Sequence, residues 1–303
     1  MEDRNELPVL TYSSSSRYQN CPREYYHRYI MHLKSKIKRE PLFIGSLFHL
    51  GLEHGLEKAV EEIRKAQPLD QKEADRLMVI EAIIVGALKG YASVFASEPE
   101  GTEREPEFLL SLVNPDTGRN SRKFRLGGKA DWLYQLNGSW VLGEAKTRGA
   151  QIGAADISKL DLDQQVLNAV AGLQRARGIT IGKVEYRYIL KPMIRQRKDE
   201  TIDQYCERIV TDYQERPDFY FHQETIYVDQ ARVTEWERDL WRIAQQINWS
   251  LKHDWWFRNT SRCAEWSGCG YLPLCRGEDV EGLYEVSEPN PELQEVANVG
   301  ITR

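Results

Sequence analysis

Two groups of side chains in this 303-residue sequence have the types and spacing to do chemistry. The first centres on SWVLGEAKT, where Glu144 and Lys146 stand two residues apart in a segment of strand character. Both therefore leave one face of the strand while Ala145 leaves the other. The segment before it carries Asp131 in GGKAD, and the intervening Asn137-Gly138 is a two-residue hairpin signal. Asp131 lies six residues before Asn137 and Glu144 six after Gly138, so a regular hairpin sets the two carboxylates near each other across the ladder. Carboxylates held that close repel unless a cation lies between them. Hard oxygen donors suit Mg²⁺ or Mn²⁺, which can supply a nucleophilic water for phosphodiester hydrolysis. Lys146 is then placed to orient that water or to stabilise the pentavalent phosphate. Any one of these residues alone reads as a solvated surface charge, so the inference rests on their joint placement.

The second group is RCAEWSGCGYLPLC, residues 262–275, in which Cys263, Cys269 and Cys275 are each separated by five residues. Soft thiolates in such a cluster suit zinc or an iron-sulfur centre, and a closed site of either kind takes four ligands. The fourth must come from elsewhere in the chain. Five cysteines, odd in number and clustered, argue for metal ligation over disulfides.

The net charge of −5 conceals an uneven distribution. Residues 277–303 carry −6 and leave +1 for residues 1–276. Within that body, Arg17 to Arg39 holds seven Lys/Arg and one Glu, interleaved with tyrosines and with His27 and His32. Basic residues among aromatics suit a phosphate backbone and stacked bases, with Arg17, Arg23, Tyr25 and Arg28 as candidate DNA contacts. A solvated helix face over buried tyrosines fits the same composition equally well. Arg187, Lys191, Arg195 and Arg197 extend the candidate cationic path.

The elements that would position these groups follow from periodicity. SSSSRYQNCPREYYHRYI reads as a serine-rich cap entering a short helix, with Pro22 near its start. Apolar residues at helical intervals predict one helix from Phe43 and another from Asp70, joined at Gln67-Pro68. After Pro99 the texture becomes three strands: EFLLSLV, SRKFRLGGKADWLYQL and SWVLGEAKT. A helix over Asp161–Arg177, a strand from Lys183 to Pro192, a helix over Asp229–Lys252 and an acidic flexible tail over 277–303 complete the pattern. The fold class is α/β. No run of eighteen apolar residues and no signal-peptide start are present, so a soluble cytoplasmic protein with no membrane partner is expected.

Gly128-x-x-Asp131, then Glu144-x-Lys146 and then Gln165 on the following helix resemble the PD-(D/E)XK nuclease superfamily, in particular its RecB-like, AddB-like iron-sulfur exonuclease branch, often phage-encoded. The likeness extends from about Thr11 to Cys275. It includes a serine pair followed by Cys21-Pro22-Arg23-Glu24-Tyr25, and Gly45-x-x-x-His49. The resemblance implies a restriction-endonuclease-like core of mixed sheet flanked by helices, in α-β-β-β-α-β order, with a helical N-terminal region. It implies one nuclease domain over 1–276, with its core at about 100–192 and a cluster region formed by 11–40 and 255–276. His49 becomes an additional metal ligand with Asp131 and Glu144, and Gln165 helps place the scissile strand. The family's aromatic four residues after that glutamine is Ala169 here, which leaves Gln164 as a competitor. Glu107 is a further acidic candidate, though a surface position fits it better.

The same resemblance supplies the fourth thiol. Cys21 joins Cys263, Cys269 and Cys275 around a [4Fe-4S] cluster, with a Cys₄ Zn²⁺ site as the alternative, and Cys206 stays an ordinary buried thiol. The implied activity is a metal-dependent deoxyribonuclease, an exonuclease on DNA ends or single strands in recombination, repair or phage DNA processing. Two other readings compete. One is a catalytically inactive DNA-binding or scaffold module, and the other an endonuclease subunit serving a separate recombinase or helicase. The sequence has no Gly-x-x-x-x-Gly-Lys-Ser/Thr phosphate loop, so any motor would be another polypeptide.

Overall fold

The computed structural model describes residues 7–36, 40–68, 70–96, 98–264, 268–288, 290 and 293. The chain opens with β1 (Val9–Leu10), α1 (Tyr12–Asn20) and α2 (Pro22–Tyr25), then a π-helical turn at Tyr26–Ile30 and β2 (Leu33–Ser35). Three helices follow, α3 (Glu40–His54), α4 (Leu56–Arg64) and α5 (Gln71–Val94). The strand region comprises β3 (Glu103–Arg104), β4 (Glu107–Val113), β5 (Asn120–Lys129), β6 (Trp132–Leu136) and β7 (Ser139–Arg148). Next come α6 (Ala154–Ile157), α7 (Gln164–Arg177), β8 (Ile181–Leu190), α8 (Ile202–Glu215), α9 (Pro217–Tyr220) and β9 (Phe221–Tyr227). After these stand α10 (Gln230–His253), α11 (Leu272–Arg276) and β10 (Tyr284–Val286).

The strands divide between a five-stranded sheet, β3-β6-β7-β8-β9, a three-stranded sheet, β1-β5-β4, and a two-stranded ribbon of β2 and β10. In the large sheet β7 pairs parallel with β8, and the β6–β7 and β8–β9 pairs are antiparallel. Alternation along β7 explains the layering. Leu142 joins the apolar cluster that holds Val170 and Leu173 of α7 with Trp236 and Ile247 of α10. Val141 and Ala145 join the cluster on the opposite face, with Phe48, Ile84, Tyr91 and Tyr213 of α3, α5 and α8. The sheet is thus covered by helices on both faces, as a strand pair with parallel connectivity requires. Helix α5 is apolar and long enough to cross a membrane, yet more than half of its most apolar stretch is buried inside the fold.

Close packing at the sheet depends on residues without a side chain. A Cβ at Gly143 would stand 1.7 Å from Cε2 of Trp132, and one at Gly172 would stand 2.1 Å from Cε2 of Phe108. Gly128 meets the same Phe108 ring at 2.7 Å, which gives the glycine of the Gly128-x-x-Asp131 motif a packing reason. Gly143→Ala is expected to destabilise the protein by about 1–3 kcal/mol through overpacking. A urea melt checks this, since the midpoint should fall at an unchanged m-value; a wild-type midpoint would show that Trp132 yields freely.

Several sequence expectations change. The serine run lies inside α1, because Thr11 is the cap and accepts the Ser14 N–H at 3.2 Å. The helix expected from Phe43 onward breaks at Gly55, whose φ of 92° is a left-handed value that ends α3 and starts α4. The expected strand over residues 121–136 is two strands in different sheets, β5 and β6, parted at Ala130-Asp131. The tail expected to be free is docked in its first part. β10 pairs with β2, Arg28 donates to the carbonyls of Ser287 and Glu288 at 3.3 and 2.8 Å, and Leu293 is buried. Its segment 294–303 lies outside the described residues.

Candidate active site

Asp131 occupies the junction where the chain leaves the three-stranded sheet and enters the five-stranded one. The β6–β7 register, with Leu136 opposite Ser139 and Trp132 opposite Gly143, runs on to bring Asp131 beside Glu144. The Asp131 side chain replaces the next ladder bond. Its Oδ2 accepts the Ala145 N–H at 2.6 Å, and its carbonyl accepts the Glu105 N–H at 2.9 Å. Its Oδ1 stands 3.3 Å from Nδ1 of His49. Gly45 and His49 are one helical repeat apart on α3, so they share a face. A Cβ at Gly45 would lie only 3.3 Å from Oγ1 of Thr147, so the glycine allows that face to approach β7.

Glu144 is almost fully buried on the α7 face of β7. Burial and then the charge of Asp131 push its carboxyl well above the ordinary range, with Lys146 opposing. Lys146 extends along the same face, its Nζ 3.9 Å from Oε1 of Glu144 and in close contact with Oδ2 of Asp163. Burial works against the Lys146 ammonium, but Glu144 and Asp163 outweigh it and raise its pKa. Asp163 caps α7 through the Gln165 N–H at 3.0 Å, so one carboxylate anchors both the lysine and the helix start. For His49, burial favours the neutral ring, but Asp131 reverses this and raises the pKa.

His49, Asp131, Glu144, Lys146 and Gln165 together line one cavity of about 1310 Å³. Gln164, the competitor of Gln165, turns away and accepts from Nε2 of Gln19 at 3.3 Å. Two residues that sequence reasoning passed over belong to this region. Glu105, and not Glu107, lines the cavity, close to Lys129. Glu105 has a left-handed φ of 48°, and from the sequence Glu107 is only a further acidic candidate better suited to the surface. Asp163 had a visible signal, an Asp directly before an apolar helical repeat, but the helix was expected to start at Asp161.

The expected DNA-contact residues lie elsewhere. Tyr25 is buried and stacks on Trp256 with ring centroids 5.9 Å apart, and Arg28 is buried in its bonds to Ser287 and Glu288. Neither presents a surface to a nucleic acid. Arg17 is half-buried beside Glu24 at 3.7 Å, and Arg23 lies over the Tyr26 ring. Arg187 is also removed from the expected path, because it is buried in ion pairs with Glu185 and Glu98 at 2.6 and 2.8 Å. Lys191 does line the cavity, and its ammonium donates to the Pro41 carbonyl at 3.0 Å.

A family model described as the PD-(D/E)XK nuclease superfamily matches residues 9–276. The chain belongs to that superfamily. No curated protein matches the sequence at a significant level. Among solved structures, a protein named as a candidate exonuclease from Eubacterium rectale is similar in fold, with a TM-score of 0.53 at 11% identity over 96% of this chain and 94% of that one. A phage-related exonuclease from Haemophilus somnus matches more loosely, with a TM-score of 0.31 at 9% identity over 65% of this chain and 95% of that one.

PD-(D/E)XK nucleases typically use Mg²⁺ or Mn²⁺. The donor set in this superfamily member fits such an ion, because Asp131 and Glu144 offer hard oxygens whose mutual repulsion a divalent cation would relieve. Among the described residues no three His, Cys, Asp or Glu groups converge closely enough to hold an ion as they stand, so binding would have to draw the donors further together. A testable consequence follows for the metal-free protein. A carboxyl whose folded pKa is raised contributes stability that is present below its unfolded pKa and is lost as pH rises through the folded value. Glu144→Gln removes that loss. It should stabilise the metal-free nuclease by on the order of 1 kcal/mol near neutral pH and by nothing near pH 4. Melting temperatures in chelator at the two pH values check this; a destabilised variant at neutral pH would contradict the electrostatic account.

The expected cluster cysteines occupy a separate region where the segment from Cys21 to Leu33 meets residues 257–275. Cys21 is buried, and its Sγ accepts the Asn259 N–H at 3.4 Å. Arg23 N–H donates to the Phe257 carbonyl at 3.1 Å, and the Tyr271 hydroxyl donates to the Leu33 carbonyl at 2.8 Å. The Cys269 N–H donates to the Cys263 carbonyl at 2.9 Å, and Sγ of Cys275 lies 3.8 Å from Nε2 of His27. Burial, followed by Arg23 and Arg258, lowers the His27 pKa to about 4, so its ring is neutral. Residues 265–267, between Cys263 and Cys269, are outside the described residues. Cys206 is half-buried on α8, its thiol 3.5 Å from the Met78 carbonyl and apart from this group.

Proposed function

We propose that this superfamily member is a metal-dependent DNA exonuclease that hydrolyses phosphodiester bonds at DNA ends or in single strands, in recombination, repair or phage DNA processing. The observation that carries the reading is the shared cavity of Asp131, Glu144, Lys146, Gln165 and His49. Asp131, Glu144 and His49 would hold Mg²⁺ or Mn²⁺, which when bound supplies an activated water and a counter-charge for the scissile phosphate. Lys146 acts as a cation and not as a base, since its two carboxylate neighbours keep it protonated. Its ammonium stabilises the charge that accumulates on phosphorus-bound oxygens. Gln165, at the start of α7, orients the strand through its amide. The exonuclease subtype is supported by the name of the structural relative from Eubacterium rectale.

The second part of the proposal is a [4Fe-4S] cluster held by Cys21, Cys263, Cys269 and Cys275, with Zn²⁺ as the alternative occupant. The approach of the Cys275 thiol to His27, six residues after Cys21, and of Tyr271 to Leu33 supports it. Its role is to tie the ends of one nuclease unit spanning 1–276. End-labelled single- and double-stranded DNA incubated with Mg²⁺ or Mn²⁺ tests the activity. Stepwise shortening from an end is expected, and cutting of closed circular DNA would favour an endonuclease. Intact DNA in every condition would leave the DNA-binding or scaffold reading.

A further inference from the structure

A second cavity, of about 470 Å³, lies between the β4–β5 hairpin and the middle of α10. Arg119, Arg122 and Lys123 line it, all three exposed. Among the described residues none of them has a carboxylate partner, and no Asp or Glu lines the cavity. Clustered like charges of this kind repel one another, and a protein gains nothing for its own stability by assembling them.

The hairpin that carries them is well fixed. The Gly118 N–H donates to the Asn114 carbonyl at 2.8 Å, and Oγ of Ser121 accepts the N–H groups of Lys123 and Phe124, each at 3.1 Å. Asp116 at the tip pairs with Arg238 of α10 at 2.9 Å, which fastens the hairpin to the helix. Across the cavity, α10 contributes the half-buried indole of Trp241 and the amides of Gln245 and Asn248. Gln245 already accepts from Arg242 at 3.0 Å and keeps its amide N–H groups. Cations on one wall with an indole and amides on the other match a polymer that alternates phosphates with flat, hydrogen-bonding rings.

β5 joins this cavity to the active site. It runs from Asn120 to Lys129, two residues short of Asp131, so at ~3.3 Å per residue Arg122 and Lys123 stand roughly 25–30 Å along the strand from Asp131. That separation corresponds to about eight stacked nucleotides at ~3.4 Å each, and to fewer in an extended strand.

We propose that the Arg119–Arg122–Lys123 cavity is a second contact for single-stranded DNA, gripping backbone phosphates and seating a base against Trp241 while the same strand occupies the active-site cavity. The inference rests on the nuclease reading and adds an anchor that holds long strands between cleavage events. It predicts length-dependent affinity.

The test is fluorescence anisotropy of labelled oligothymidylates of about 4 and about 20 nucleotides, titrated in chelator over a range of salt. Wild type is compared with the triple variant Arg119→Ala, Arg122→Ala, Lys123→Ala. For the long strand the variant should lose about tenfold or more in affinity at low salt, with a salt slope shallower by about 2, as three lost phosphate contacts require. The short strand should bind both proteins alike. Replacing both arginines by lysine should keep the slope, and Trp241→Ala should weaken long-strand binding without changing it. Identical binding of the long strand by wild type and triple variant would overturn the anchor, as would equal losses on both lengths. Binding is read here in chelator and cleavage in the separate digestion assay, so a protein with the expected length dependence that fails to cut there overturns only the nuclease reading. One that cuts without length dependence overturns only the anchor.

Discussion

Lys146→Ala is expected to lower DNA cleavage by roughly 10²–10³-fold, the effect of removing one preorganised donor from a charged transition state. The lysine is held on one side by Glu144 and on the other by Asp163, so its ammonium is fixed without any contribution from substrate. Its loss should therefore appear in kcat with little change in KM, since a group that acts mainly in the transition state does not strengthen substrate binding. The same substitution leaves two carboxylates without their cation, and divalent-metal affinity should hold or rise. Single-turnover digestion of end-labelled DNA, with Mn²⁺ affinity measured on the same protein, separates the two effects. Equal cleavage by variant and wild type would remove the catalytic role, and a parallel loss of metal binding would show that Lys146 acts through the fold.

Cys269→Ala is expected to cost solubility and thermal stability before it changes any chemical step. In the fold the two ends of the chain are joined by a few hydrogen bonds, by the β2–β10 ribbon and by the stacking of Tyr25 on Trp256. A covalent link closing a loop of more than 200 residues, as between Cys21 and Cys269, contributes about 5.5 kcal/mol in the chain-entropy treatment of cross-links. Losing it would remove a large part of the net stability of an ordinary domain. Visible absorption of anaerobically purified wild type should show the cluster, and the variant should be colourless and melt at a lower temperature. A colourless variant that is fully folded and active would contradict a structural cluster. A colourless wild type containing one zinc per chain would assign the site to Zn²⁺.

The sequence showed the hairpin that pairs Asp131 with Glu144 because its geometry is local. Asn137-Gly138 sets the turn, and counting outward from it places Asp131 opposite Glu144 in the register that the strands adopt. Helix boundaries with polar caps were legible for the same reason, as at Asp229, which accepts the Ala231 N–H ahead of α10. No helix or strand was read over the region 193–228. Its strand β9 sits at a sheet edge with few buried residues, so its alternation carries little apolar contrast. Helix α8 did offer a signal, since Thr201 and Gln204 form a capping box before an amphipathic repeat. Tyr25 and Arg28 misled because composition does not report burial. The same basic, aromatic segment packs inward once Trp256 and the β10 segment cover it. Glu105 was hidden by a left-handed backbone that no strand pattern anticipates.

The central claim, that Asp131 and Glu144 bind a common divalent cation, is tested most directly by Mn²⁺ binding followed by electron paramagnetic resonance in the absence of DNA. Wild type should sequester Mn²⁺ at the active site, and both Asp131→Asn and Glu144→Gln should weaken that binding at least tenfold while remaining folded. Retention of the full Mn²⁺ affinity by both folded variants would contradict the account.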